Sequence, residues 1–439
     1  MTVFEKSEAK RLRTLIWVIG LATTGLMFDG YDLVVYGTVV STFLRDPSHI
    51  GPVDPALAGA LGSYALLGVL VGALTAGSIG DVIGRRKMML GAYAWFSLGM
   101  AATALTSTAS MFGIFRFVTG LGVGVLLGTT AALVSEFAPK GKKNLCIALT
   151  YAGVPLGSLA AAALAIVLLD QIGWRGMFMI GAVPFVTLLP LAFWKMPESV
   201  AWLAARGRMQ EAEALAVQTG IEILATVEAH EVEDSGAVGY RGLFGDFLLP
   251  ALLIGLMSAM GLLLVYSLNT WLPELMLRAG FNAKGSLSFL LVLNGAAALG
   301  PIIVARFADR FGPKPVVAAS FSLGAVAIMA LTLKLPLAVL LVIVALVGVG
   351  TSGTQTLIYG FVANYFPTRV RGAGVAWCAG FGRIGGVGGP LIGGLLIAAG
   401  LSIDTIFFVL AGLALAGILL ALLIPPAAKT SLQDIDATH

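Results

Sequence analysis

Two acids one helical turn apart, Asp29 and Asp32, sit in the middle of an apolar stretch that runs from about Leu15 to Phe43. Ionised carboxylates near the centre of a bilayer cost from about 3 kcal/mol upward each, so an acid there marks a functional site by default. At i and i+3 the two share a helix face. Crowded together in a low dielectric, two carboxylates disfavour joint ionisation, so one of them can hold and release a proton. The competing reading is a structural pair, hydrogen-bonded to neighbouring helices or facing water near the outer end. A third charge of this kind is Arg383, about eleven residues into its own apolar run and near mid-depth at 1.5 Å per residue. A guanidinium is always charged, and its planar fork matches a carboxylate through two parallel hydrogen bonds. Its partner is either a bound anion or a permanent bridge to Asp29 or Asp32, and the two are compatible if the anion competes with the bridge. Arg116, a few residues inside the outer end of another run, either lies on a proton path beside the acids or snorkels to the surface.

These charges need a scaffold, and composition identifies its medium. Of 439 residues, 58% are hydrophobic and only 11% charged, with 56 glycines. A soluble domain carries about a quarter charged residues. The chain therefore reads as an all-α polytopic membrane protein, and its glycines suit helices packed closely in lipid. The apolar runs are too long and continuous for the alternating strands of a membrane barrel. They fall at about 14–43, 56–80, 87–106, 111–134, 144–170 and 174–195, then at 247–272, 286–305, 314–333, 336–362, 372–399 and 402–424. Twelve spans in two groups of six follow: an N-terminal half over 1–195, a central loop over 196–246, a C-terminal half over 247–424 and a tail over 425–439. The loop holds a charged helical pattern around Arg208–Gln218 and an acidic stretch near Glu228–Asp234. The basic start before the first run resembles a signal peptide, but the run is too long, carries two acids and lacks a small-residue cleavage site.

If the N-terminus is inside, twenty of the 27 Lys and Arg residues fall in inner segments, five in outer segments, and Arg116 and Arg383 within spans. The positive-inside rule then places both termini in the cytoplasm of a cell whose plasma (inner) membrane holds the chain. Other chemistry is missing from the sequence. Cys146 and Cys378 lie far apart with no metal or disulfide spacing. His49, His230 and His439 lie in loops or the tail, and no Gly-Lys-Ser/Thr phosphate loop supports ATP drive. Nothing suggests an enzyme, a cofactor, a metal or a nucleic-acid partner; the expected partners are a small molecule, a proton and lipid, and the expected state is a monomer.

The halves repeat. Asp81 and Asp309, Gly84 and Gly312, and Pro139 and Pro367 are each separated by 228 positions. Two six-span repeats with a site at their interface are a transporter architecture. The same offset carries Asp29 and Asp32 onto Met257 and Met260, and Arg383 back onto Pro155. The acids belong to the first repeat alone and the mid-span arginine to the second.

Gly77-Ser78-Ile79-Gly80-Asp81-Val82-Ile83-Gly84-Arg85-Arg86 resembles the signature loop between spans 2 and 3 of the major facilitator superfamily, with Val82 where that family usually has Arg. Asp309-Arg310-Phe311-Gly312-Pro313-Lys314 is its weaker copy. Arg116-Phe117-Val118-Thr119-Gly120 is similar to the fourth-span motif, and Pro197-Glu198-Ser199 to the start of the central loop. Within the superfamily, Asp29-Gly30-Tyr31-Asp32 resembles the first-span signature of the aromatic acid:proton symporters. The resemblance covers essentially the whole chain. It implies import of a benzoate- or hydroxybenzoate-like carboxylate with a proton, by alternating access. Asp29, Asp32 and Arg116 then serve proton coupling and Arg383 the carboxylate. An aromatic, mildly polar pocket is expected from Tyr31, Tyr266, Asn269, Asn294, Gln355, Tyr359 and Trp377. Breakable bridges at the inner face are expected among Asp81, Arg85, Arg86, Asp309, Arg310, Arg369 and Arg371, with Glu136 paired to basic loop residues. A proton-driven exporter of drugs is the alternative from the same fold, although it leaves Arg383 without a role; a non-transporting sensor ranks lower.

Overall fold

In lipid every backbone polar group must find its partner inside the chain, and helices do this within one segment. The computed structural model describes residues 3–139, 142–220 and 239–426, and among these it contains helices and no strand. In chain order they are α1 (Val3–Arg45), α2 (Pro55–Ile83), α3 (Arg85–Ala104), α4 (Ala109–Phe137), α5 (Lys143–Tyr151), α6 (Gly153–Ile180), α7 (Leu188–Lys195), α8 (Val200–Ala205) and α9 (Met209–Thr219), then α10 (Gly239–Asp246), α11 (Leu248–Arg278), α12 (Ala283–Phe311), α13 (Pro313–Ala330), α14 (Leu337–Gly348), α15 (Thr354–Tyr365), α16 (Thr368–Ala398) and α17 (Ile403–Leu423). The acidic stretch near Glu228–Asp234, and the side chain of Asp81, lie outside the described residues.

Among the described residues, ten helical segments are long and apolar enough to cross a membrane. The two expected runs that do not qualify have clear causes. The run at 87–106 becomes α3, whose first turn carries Arg85, Arg86 and Lys87 and so shortens its apolar part. The run at 174–195 is broken. Gly173 turns the chain at φ 65°, α6 ends at Ile180, and a 3-10 turn containing Pro184 separates it from α7. Between α14 and α15 a π-helical turn spans Val349–Gly353, the kind of local insertion that often marks a functional segment.

The repeat is present in the backbone at the same offset of 228. α2 begins and ends where α12 does after the shift, and α4 matches the segment from the start of α14 to the end of α15. The helix starts match as well: Asp54 caps α2 by accepting from the Leu57 N–H, and Asn282 caps α12 by accepting from the Gly285 N–H. Gly84 and Gly312 both take positive φ, at 100° and 84°, with near-identical ψ of 152° and 151°. Only glycine adopts that conformation without strain. This accounts for its presence at both copies of the loop motif.

Close helix contacts use glycine in place of a side chain. A Cβ added at Gly120 or Gly124 of α4 would strike the backbone of α2, and one at Gly68 or Gly72 would strike the backbone of α4. The glycines of the fourth-span motif therefore seat α4 against α2. On the α1–α6 contact, Gly30 meets the Val154 carbonyl and Gly157 the Met27 carbonyl; Gly385 meets Ala259 at the equivalent α11–α16 contact. The two repeats join through α1 with α11, α2 with α16, and α6 with α12. Their tightest joints lie toward the end of the bundle that holds Arg45, where Gly37 abuts Asn269 and Ser63 Oγ donates to the Val387 carbonyl at 2.7 Å.

Candidate functional site

Asp29 and Asp32 are each 2% exposed on α1, but they have different surroundings. Arg116 of α4 is 1% exposed and forms an ion pair with Asp32 through Nη1, while its Nη2 reaches the Asp32 backbone carbonyl at 3.4 Å. The rings of Tyr36 and Phe178 lie over the guanidinium, each with its centroid at 5.6 Å. Arg116 therefore does not snorkel; it neutralises one acid of the pair. Asp29 accepts no hydrogen bond from any described residue and lies within electrostatic reach of Arg383 and of Asp32. Among the described residues no ion pair joins Arg383 to either acid, although such a bridge was one of the two alternatives for its partner. Asp32 has another partner, and Asp29 stands near Arg383 without touching it.

Arg383 of α16 gathers more than Asp29. Tyr151 at the end of α5, Tyr266 of α11 and Tyr359 of α15 all lie within its electrostatic reach. Arg383 and the three tyrosines are half-buried, unlike the acids. Beside Tyr359, Gln355 Nε2 donates to Ser258 Oγ at 3.0 Å. A carboxyl group and three phenols, drawn from α1, α5, α11 and α15, thus lie within electrostatic reach of Arg383 on α16. The set can hold a carboxylate on the guanidinium, a ring among the tyrosines and a proton on Asp29.

Several expected contacts lie elsewhere. Tyr31 is 3% exposed and its hydroxyl donates to the Met177 carbonyl at 2.6 Å, so it packs on α6 and is not grouped around Arg383. The Trp377 indole donates to the Ala251 carbonyl at 2.7 Å, and its ring packs on Phe244 and Phe381, both with centroids at 4.9 Å. Asn294 Nδ2 donates to Asn269 Oδ1 at 2.9 Å, joining α12 to α11 by their amides.

At the far end the described residues make other contacts. Asp309, Arg310 and Arg371 are exposed; Arg310 lies over the Phe311 ring at 5.3 Å, and Arg371 Nε donates to the Phe366 carbonyl at 3.4 Å. Arg369 pairs with Asp246 at 2.9 Å. The Arg86 backbone N–H donates to the Glu198 carboxylate at 2.9 Å, which satisfies an open donor at the start of α3 where Gly84 has no side chain to do so. Glu136 lies beside Ser199, with Arg85 and Lys143 in electrostatic reach but in no ion pair with it, and its Oε2 is buried without a hydrogen-bond partner among the described residues. Ion pairs between described residues of the two repeats lie at the Arg45 end. Glu274 of α11, 2% exposed, receives Ser41 Oγ at 2.6 Å, Arg45 Nη2 at 3.2 Å and Arg278 Nε at 2.7 Å; Lys284 Nζ lies 3.8 Å from Asp170.

Sequence reasoning missed Tyr151, Ser258 and Glu274. The repeat contained a signal for the first. It maps Arg383 to Pro155, one turn beyond Tyr151 on a segment packed against α1. Glu274 lies just past the expected end of its run, where a terminal acid looks unremarkable.

Residues 17–438 match the Sugar (and other) transporter family. The chain belongs to that family. It is a multi-pass membrane protein of the major facilitator superfamily, in a family of transporters and not of enzymes. Among its relatives, the benzoate transport protein of Acinetobacter baylyi is 31% identical over 91% of this chain and 87% of its own length. The gentisate transporter of Corynebacterium glutamicum is 34% identical over 87% of this chain and 81% of its own. In fold, the chain is similar to the xylose transporter XylE from E. coli in a partially occluded inward-open conformation, with a TM-score of 0.76 at 17% identity, covering 96% of this chain and all of that one.

Proposed function

We propose that this chain imports aromatic carboxylates of the benzoate and hydroxybenzoate class by proton symport. The observation that carries the reading is the unbridged pair of Asp29 and Arg383, within electrostatic reach of each other from opposite repeats, with half-buried tyrosines beside them. The relatives named for benzoate and gentisate transport support the substrate class.

The proposed mechanism follows from charge. While Asp29 is ionised it competes with an incoming carboxylate for Arg383. Protonation of Asp29 removes the competitor, so proton and anion bind cooperatively, and linkage makes the effect reciprocal. Asp32, already neutralised by Arg116, holds α1 against α4 and fixes where Asp29 points. Moving one negative charge into a negative interior costs about 2.3 kcal/mol per 100 mV. The accompanying proton cancels that cost, and each pH unit across the membrane then contributes about 1.4 kcal/mol. Tyr151, Tyr266 and Tyr359 would bind the ring and its hydroxyls.

In this reading twelve spans form the two six-helix halves over 1–195 and 247–424, with both termini, the 196–246 loop and the 425–439 tail in the cytoplasm and the chain in the plasma (inner) membrane. The Arg45 end is then the outer end, and Arg45–Glu274 closes it. Rocking between the halves breaks that closure and brings the Asp81, Arg85, Arg86, Asp309 and Arg310 face together. One chain contains the whole pathway, so a monomer suffices.

The test is accumulation in vesicles reconstituted with the protein and given an inward pH gradient. Labelled benzoate, hydroxybenzoates and a cationic dye are offered in turn, with protein-free vesicles as the baseline. Gradient-driven accumulation of an aromatic acid above that baseline is expected. Accumulation of the dye alone would refute the reading.

A further inference from the structure

At the Arg45 end, between α1, α6, α11 and α12, lies a cavity of about 320 Å³. Its α1 wall runs from Thr38 to Arg45, about 14–24 Å along the helix from Asp29 at 1.5 Å per residue, and so it is separate from the Arg383 cluster. Arg45, His49, Trp174 and Ser286 are among its walls. Ser286 and Trp174 are 2% and 3% exposed, and the Ser286 hydroxyl and the Trp174 indole N–H are both buried without a hydrogen-bond partner. Buried polar groups in native proteins are nearly always satisfied, so two orphans in the walls of one cavity are donors that a small shift of those walls would satisfy. The donor that already opens to the cavity is the Arg45 guanidinium, half exposed, and its fork fits the oxygens of a small carboxylate. The volume is at the small end of ligand pockets, suited to a single ring. Trp174, edge-on to Phe43 at 5.0 Å and His49 at 6.3 Å, supplies an aromatic wall. Two acids also belong to this end: Asp170 is itself in the cavity wall, exposed and 3.8 Å from Lys284, and Asp46 lies 3.5 Å from His49.

Arg45 has a second commitment, to Glu274 across the repeats at 3.2 Å. If Arg45 leaves, Glu274 keeps Ser41 and Arg278. We propose that this cavity is an entry site for the substrate carboxylate, and that a carboxylate taken by Arg45 releases it from Glu274 and loosens the outer closure. The proposal rests on the reading of the chain as a carboxylate importer. It adds a site that is occupied before the central one and a reason for the closure to yield to substrate.

The test uses labelled benzoate and equilibrium dialysis on purified full-length protein carrying Arg383→Gln, so that the central guanidinium is gone. Saturable binding is expected to persist. Adding Arg45→Gln should weaken it about tenfold, and adding Glu274→Gln should tighten it about tenfold by freeing Arg45. Both variants break the same ion pair, so a purely structural role would move them in the same direction. No saturable binding to the Arg383→Gln protein, or shifts of the same sign in both variants, would overturn the entry site. If wild-type vesicles still accumulate benzoate, that failure is confined to the entry site. If they do not, and no variant binds benzoate, the carboxylate reading falls together with it.

Discussion

At the scale of residues, two acids three positions apart have different surroundings: Asp32 is ion-paired to Arg116, and Asp29 is in no ion pair among the described residues. Removing charge from Asp32 would leave Arg116 buried without its counter-ion, at a cost of about 3–5 kcal/mol. Asp32→Asn should therefore lower the thermal unfolding temperature of the purified protein, with partial recovery on adding Arg116→Gln. Asp29→Asn removes no ion pair, so it should leave the unfolding temperature near wild type. It should nevertheless abolish driven uptake while exchange of substrate across the membrane continues. Arg383→Lys tests the other member of the pair. A lysine keeps the charge but not the fork, so substrate binding should weaken by about tenfold or more, measured as Kd by dialysis. An unchanged Kd would mean that Arg383 acts only as a distant charge. The sequence placed Asp29, Asp32 and Arg383 in spans and grouped them. It could not tell the acids apart, because which of them faces Arg116 depends on the rotation of α1 against α4, and that is set by glycines on several helices.

At the scale of elements, that rotation is held by backbone contact. Gly30 and Gly157 bring α1 and α6 together so closely that a Cβ at either meets a carbonyl. Gly157→Val should destabilise the protein by about 1–3 kcal/mol through overpacking, read as a loss of unfolding temperature. If α1 shifts to relieve the clash, uptake should fall as well. A stable, fully active Gly157→Val protein would contradict the packing argument. Most helices were legible from hydrophobic runs, and the repeat was legible from three residue pairs at one offset. The broken helix around Gly173 and Pro184 was not, because its residues are apolar enough to read as one span. The π-helical turn at Val349–Gly353 was hidden for a different reason: it inserts into a helix without changing the hydrophobic pattern.

At the scale of the whole molecule, the account requires the Arg45 end to open during transport. Ser63 and Val387 lie across that seam, joined by a 2.7 Å hydrogen bond. Cysteines at these two positions should crosslink under oxidation and stop uptake, and a reductant should restore it. Continued uptake by the crosslinked protein would mean that this seam does not move. The sequence placed the breakable charges at the opposite face, where the motif arginines lie. At that face the structure shows Arg310 over Phe311 and Arg86 donating to Glu198, while the charged closure between repeats is built from Glu274, Ser41 and Arg45. Such a closure reads poorly from sequence, because its partners lie more than two hundred residues apart and carry no motif. The central claim remains that Asp29 couples a proton to the anion on Arg383. It is tested most directly by running the cycle from the other side: an inward benzoate gradient is imposed on vesicles with no pH gradient, and the internal pH is followed with a trapped dye. The account predicts internal acidification faster than in protein-free vesicles for wild type, and none beyond that baseline for Asp29→Asn even though labelled benzoate still exchanges. Equal acidification by the two proteins would contradict it.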